Sequence, residues 1–567
     1  MDKFVPKIDQ FADSETQWNL RQVCHQWHQD LPPMLVDSER LINVLQQPRN
    51  IMGLHAIKQG WIRLFQYAIK SGFDDWENGL YWMGRLNRSL MMEKRYTENW
   101  KQVLFGACEG GHVDLVRRII LEQELHESFI NTDATKRDSI LNRGLSYACR
   151  GGHLEIIQIM IQCGANDWNW GFVAACLGGH LPVIQMMIDH GADHWDTGLE
   201  HACRGGHLNI IDLMIAKGAT DWNHGLIGAC QEGHLSVVQK MIALGADELD
   251  LGLLDAIKKG HSTIVKMLLD LGAKHPGAWN FLNRNLVGDH PRPETDWTHG
   301  FYHACLGGHL EIVQMLIQCG ANNWKDGFNA ACQGGHPAIV QLMIDHGITE
   351  WYWGLLDACI EGHLEIAQMM LSHEIDDVIT GLIRTCYHGH WTLFQMMIQR
   401  PDVIQKLRGS YNLYNAFLAA CQGGNQRIVN FLITYGTHYW DEGLRSACQG
   451  GRHNIIKMLI DHGAKDWNKG LMGACHGGDR MIVQMMIERG ANDWNRGLEQ
   501  ACSGSHLDIV KMMIEYGAND WDSGLSRACS SHSFEIIQMM IDHGARQCFW
   551  CHHSIEEHMK NRYGGNW

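Results

Sequence analysis

Three residue types return in this chain at a fixed spacing, and each type can do chemistry. Fourteen of its nineteen cysteines hold one phase, among them Cys149, Cys176, Cys203 and Cys230, which stand 27 residues apart. As thiolates they would be nucleophiles or metal ligands. Histidine follows Gly-Gly, or a variant of it, in eleven copies, including His153, His180, His207, His309 and His363. Imidazoles at such positions would bind metal or move protons. Tryptophan stands eight residues before the cysteine phase in eleven copies, from Trp100 to Trp521, as a ladder gripping a ligand would require. Near the end, CFWCHH places Cys548 and Cys551 before His552, the spacing of a haem c attachment or half a zinc site.

Exchange between copies argues against each chemical role. Ile257 takes the cysteine position, so the site is a small apolar one, and free cysteine behaves as such a residue. Thiols kept free in this number point to a reducing compartment. Asn425, Arg452, Asp479 and Ser533 stand where other copies have histidine. A metal site would not survive that exchange, whereas a helix start would. Leu141 and Leu249 replace tryptophan, which favours packing. Cys548 and Cys551 have no second pair nearby, so the segment reads as part of a tail. No P-loop, G-x-S-x-G or H-E-x-x-H occurs. The expectation is a protein that is not an enzyme and holds no cofactor or metal.

The 63 acidic residues outnumber the 47 Lys and Arg, leaving a net charge of -16 over 567 residues. That disfavours sequence-blind binding of nucleic acid, which needs cations to displace phosphate counterions. No apolar run is long enough for a bilayer, and MDKFVPKIDQ lacks the features of a signal peptide. A monomeric cytoplasmic protein without membrane or nucleic-acid partners is expected.

The elements that position the repeated residues are helices. In GLSYACRGG, Leu145, Ala148 and Cys149 share one face. Asn169, Asp196, Asn223, Thr298, Asp441 and Asn468 are placed to cap this first helix. A glycine pair breaks the chain. The second helix, HLEIIQIMIQCGA, aligns Leu154, Ile157, Met160 and Ile161 and ends at a glycine suited to a left-handed cap. Such pairs bury their stripes only by stacking. The fold class is therefore an all-α solenoid of helix pairs, with about sixteen copies from Ile57 to Cys529. At roughly 8–10 Å between packed helices, it would be a curved rod on the order of 140 Å long.

GGHLEIIQIMIQCGAN resembles the second half of an ankyrin repeat, G-H-x-x-x-V-x-x-L-L-x-x-G-A, and does so sixteen times between about residues 50 and 547. The first half departs from that family. Its usual 33-residue length, Thr-Pro-Leu-His start and β-hairpin give way here to a tight NDWN turn. Short repeats with tryptophan are also similar to those of large DNA viruses of amoebae. The resemblance implies a scaffold that binds proteins on its concave first-helix face.

Positions two before and one after the cysteine vary most in the notation of that face. They make Tyr147, Arg150, His201, Arg204, Asp255, His303, Asp357, Arg384, Tyr387 and Arg527 the candidate partner-binding residues. Insertions near 77–99, 122–140, 274–295 and 400–412 interrupt the array that runs from 49 to 547, and 548–567 form a tail. The last three insertions fall between a second helix and the next first helix, an edge that often carries recognition.

Residues 1–48 precede the array. In LRQVCHQW, Leu20, Val23, Cys24 and Trp27 resemble the last helix of an F-box, with Val5, Pro6 and Ile8 supplying its first. That resemblance implies binding to the Skp-type adaptor of a cullin–RING ubiquitin ligase. The other reading of the segment is a helical cap on the first repeat.

Overall fold

The computed structural model describes residues 85, 100–121, 134–274, 297–408 and 410–546. They contain 31 helices and no strand, and divide into one unit ending at Asp296 and another beginning at Trp297. The first holds six copies of the repeat and the second holds nine with one additional helix, Pro401–Leu407. Within each unit a copy's first helix packs on its own second helix and on the first helix of the next copy.

One copy shows why this sequence folds so. The first helix, Trp168–Gly178, opens with Asp167 accepting a hydrogen bond from the Trp170 amide at 3.0 Å. It ends where Gly179 takes φ 85°, a conformation that a Cβ opposes. The second helix, Leu181–Asp189, starts beside Pro182 and is closed by Gly191 at φ 102°. Phe172, Ala175 and Cys176 of the first helix and Ile184 and Met187 of the second are fully buried. Each large aliphatic so buried contributes about 1.5–3 kcal/mol, so the seam between copies holds the unit together.

The cysteines fill that seam. Burial pushes the thiols of Cys149, Cys176, Cys203 and Cys230 up to about 12. Ile257, in the same phase, is likewise fully buried. The buried stripe of the second helix keeps Ile157 and Met160 of the expected set, adds Ile156 and leaves out Leu154 and Ile161. In Leu154–Gln162, Ile156, Ile157 and Met160 are buried while Leu154 is 41% exposed, because Leu154 is the helix's opening residue and its side chain clears the seam.

The expected capping residues do different work. The first helices begin at the tryptophan, so Asn169, Asp196, Asn223, Asp441 and Asn468 lie inside their helices. Their oxygens reach the next copy instead. Asn169 Oδ1 accepts from the Asp193 and His194 amides at 2.9 and 3.3 Å. Asp196 accepts from Thr220 and Asp221 at 2.7 and 2.9 Å, and Asn468 from Asn492 and Asp493 at 2.8 and 3.0 Å. Capping passes to the aspartate before the tryptophan, as at Asp167, Asp221, Asp466, Asp493 and Asp520.

Histidine also ties one copy to the one before. His207 Nε2 donates to the Leu177 carbonyl at 3.1 Å, His234 to Arg204 at 3.0 Å and His336 to Leu306 at 3.0 Å. A carbonyl only accepts, so Nε2 carries the proton. Two substitutes keep a donor. Arg452 Nε reaches Gln422 at 2.9 Å, and Asn425 reaches the nearer Gly389 carbonyl at 2.7 Å. Asp479 has no such proton and turns to its own helix, accepting from the amides of Met481 and Ile482.

Tryptophan closes the far end of its copy. Trp351 stacks on His373 with centroids 3.7 Å apart, Trp324 on His346 at 4.1 Å and Trp494 on Tyr516 at 5.0 Å. Lys217 and Arg489 lie over Trp195 and Trp467 in the same arrangement. Two insertions carry helix. Residues 401–407 form the additional helix, and residues 134–140 lengthen the first helix of their copy to Ala134–Gly151. The copy at Ile57, residues 1–48, 77–84, 86–99 and 548–567, and nearly all of 274–295 lie outside the described residues.

Candidate functional site

The lengthened helix builds a site. With the first helices Trp168–Gly178 and Trp195–Gly205 it encloses a groove of about 820 Å³ in the first unit. Its apolar surface comes from Val173, Ala174, Leu177, Tyr147 and Trp170. Its polar rim carries Arg143, Arg150, Asp167, His194 and His201. Trp170 is 62% exposed. A side chain of that size, exposed beside an apolar strip, offers area that a partner would bury.

The walls are held in place. Asn142 and Asn169, both lining the groove, accept the turn amides of successive copies. Tyr147 stacks on Phe105 with centroids 5.4 Å apart, and the Arg143 guanidinium lies 5.0 Å from the centre of the same ring. Arg150 Nε stands 3.7 Å from the buried carboxylate of Glu109, which Arg85 approaches at 3.6 Å. Asp167 is occupied by the Trp170 amide. His201 Nδ1 donates to the Thr197 carbonyl at 2.9 Å, leaving Nε2 available.

Of the sequence candidates, the groove brings together Tyr147, Arg150 and His201. Arg204 is on the same helix as His201 but pairs with Glu200 at 3.1 Å. Asp255 stands two copies beyond His201 and is half-buried, and burial raises its carboxyl above the usual range. His303, Asp357, Arg384, Tyr387 and Arg527 all lie in the second unit, apart from this groove. There Arg527 Nε is tied to Glu499 at 2.8 Å, and Asp357 is raised by burial and by Glu361. Val5, Pro6, Ile8, Leu20, Val23, Cys24 and Trp27 lie outside the described residues, as do Cys548 and Cys551.

The position two before the cysteine is less a recognition position than its variability implies. Ala174, Gly228, Ala330 and Gly473 are buried there. A Cβ on Gly473 would come within 2.0 Å of the Arg445 carbonyl, so the residue sets how closely neighbouring first helices approach. A more open position lies one turn earlier, six before the cysteine. It is exposed at Arg143, Trp170, Thr197, His224, His299, Asp326, Trp353 and Arg496 and half-exposed in other described copies, as at Leu251 and Lys469. Its signal is present in the sequence. It varies as widely as the others, and it shares a face with them at i, i+4 and i+7.

Comparison with known proteins bears on this geometry. The family model for ankyrin repeats in three copies matches residues 145–224 and again 301–381. Each match spans three successive copies of the 27-residue unit. Residues 145–224 and 301–381 are ankyrin repeats. Ankyrin repeats are a protein–protein interaction scaffold, and the first match contains most of the groove. Among solved structures, the human ASB11 ankyrin repeat domain is similar over 31% of this chain and 84% of its own, at 24% identity and a TM-score of 0.23. The maize pentatricopeptide repeat protein PPR10 covers 95% of this chain and 89% of its own, at 12% identity and a TM-score of 0.28. PPR10 in complex with an 18-nt psaJ RNA element covers 90% of each, at 12% identity and 0.26. At these scores the likenesses carry no argument about what this ankyrin array binds. No curated protein matches it. None of the described helices of the ankyrin array is long and apolar enough to cross a membrane, and no group of three metal-ligating side chains converges among the described residues.

Proposed function

We propose that this ankyrin array holds a partner protein in the groove formed by Ala134–Gly151, Trp168–Gly178 and Trp195–Gly205. The observation that carries the reading is Trp170, 62% exposed above an apolar strip on walls fixed by hydrogen bonds between copies. Large aromatic side chains in such places anchor protein interfaces. Photo-crosslinkers placed at Thr197, in the groove, and at Gln185, on an exposed second-helix face, test this. Adducts should form from Thr197, disappear when Trp170 is replaced by alanine, and not form from Gln185. Equal adducts from both positions would refute it.

The F-box resemblance of residues 1–48 supports a second, separable role, in which that segment docks a Skp-type adaptor and the array selects a target. It rests on Leu20, Val23, Cys24 and Trp27. Retention of the adaptor by the full chain, lost on Leu20→Asp with Trp27→Ala, would support it. No retention by the unaltered chain would end it.

A further inference from the structure

The charge of the groove identifies what enters it. The chain as a whole carries -16, yet the groove lining holds two arginines, Arg143 and Arg150, against one carboxylate, Asp167, and of the two arginines only Arg150 stands beside another carboxylate, the buried one of Glu109. Asp167 already accepts an amide. Arg143 is exposed, has no carboxylate partner among the described residues, and sits over Phe105, 5.0 Å from the centre of a ring that also stacks on Tyr147. A guanidinium already placed over a ring loses less freedom when it takes a carboxylate through two parallel hydrogen bonds. The apolar strip of Trp170, Val173 and Leu177 lies within the same groove.

We infer that the groove receives an acidic segment of a partner protein, with a carboxylate on Arg143 and a large apolar side chain against Trp170 and Leu177. This rests on the groove being the partner-binding site. Charge complementarity selects the occupant. A nucleic acid, also anionic, would need many more cations than two arginines to displace its counterions. It would also meet the field of a chain with 63 acidic residues.

The test is selection of short randomised peptides, displayed on phage, by the full chain and by variants with unchanged melting. The unaltered chain should enrich peptides that combine Asp or Glu with Phe, Leu or Trp. Arg143→Glu with Arg150→Glu should weaken the selected peptides by about tenfold or more and shift enrichment toward Lys and Arg. Trp170→Ala should abolish enrichment. Neutral or basic peptides that still depend on Trp170 would overturn the acidic occupant and leave the groove as the binding site. Peptides insensitive to all three substitutions would overturn the groove itself. A randomised single-stranded RNA pool retained by the chain and released by the double arginine variant would place a polyanion there instead, contradicting the inference.

Discussion

The imidazole of His207 occupies the space that a side chain on Gly179 would need. A Cβ at Gly179 would stand 2.6 Å from His207 Cε1, and the same ring donates through Nε2 to the Leu177 carbonyl at 3.1 Å. Gly179 has φ 85°. Gly179→Ala therefore combines backbone strain with loss of the contact between copies. A cost of about 1–3 kcal/mol is expected from the backbone alone, more if the ring is displaced. Chemical denaturation should show it, with faster amide exchange in residues 177–180 and 203–207.

Acid should weaken the array through imidazoles that folding partly desolvates. Burial holds His180 below the usual histidine range, aided by His153 and His207 and opposed by its bond to the Arg150 carbonyl. His388 and His476 are lowered as well, first by burial. A histidine lowered on folding binds fewer protons folded than unfolded. Its favourable state is complete above the unfolded pKa, about 6.5, and stability falls as pH drops through and below that value. Melting should shift downward between neutral pH and pH of about 5.5. His180→Asn should reduce the shift, since Asn425 already serves as a neutral donor to the preceding copy. A variant with an undiminished shift would remove His180 from the account.

The core thiols should be inert while the chain is folded. Fourteen of the sixteen described cysteines are buried, and only Cys163 and Cys319 are not. Alkylation of the native chain near neutral pH, read by peptide mass, should label those two and spare Cys149, Cys176 and Cys203. Labelling of the core cysteines before unfolding would contradict the burial described.

Asn169→Ala removes an acceptor from two turn amides of the next copy. These amides are near the surface and water can replace the lost oxygen, so a cost of about 1 kcal/mol is expected. Amide exchange at Asp193 and His194 should accelerate, with little change at Asp221, whose amide is held by Asp196.

Much of the fold was legible because it is periodic. Leu145, Ala148 and Cys149 are read as one buried face, and all three are fully buried. Exchange of cysteine for Ile257 identifies the core position without coordinates. The differences arise where the pattern leaves the first turn of a helix undetermined. The tryptophan begins the first helix, so the asparagines two residues before the expected start reach across to the next copy rather than cap their own. Variability alone also misleads at the position of Ala174 and Gly228, where it adjusts helix spacing. Trp170 was missed because it lies one turn upstream of the positions compared. The groove itself depends on the lengthening of a helix through Ala134–Ile140, which follows from an insertion rather than from the repeat.

The central claim is that the Trp170 groove is where a partner binds. The most direct measurement is the affinity of the crosslinked partner for the full chain and for two variants of matched stability, Trp170→Ala and Met481→Ala. Met481 is 73% exposed on a second helix of the other unit. The account predicts a loss of about tenfold or more for Trp170→Ala and no loss for Met481→Ala. Unchanged affinity in Trp170→Ala would contradict it.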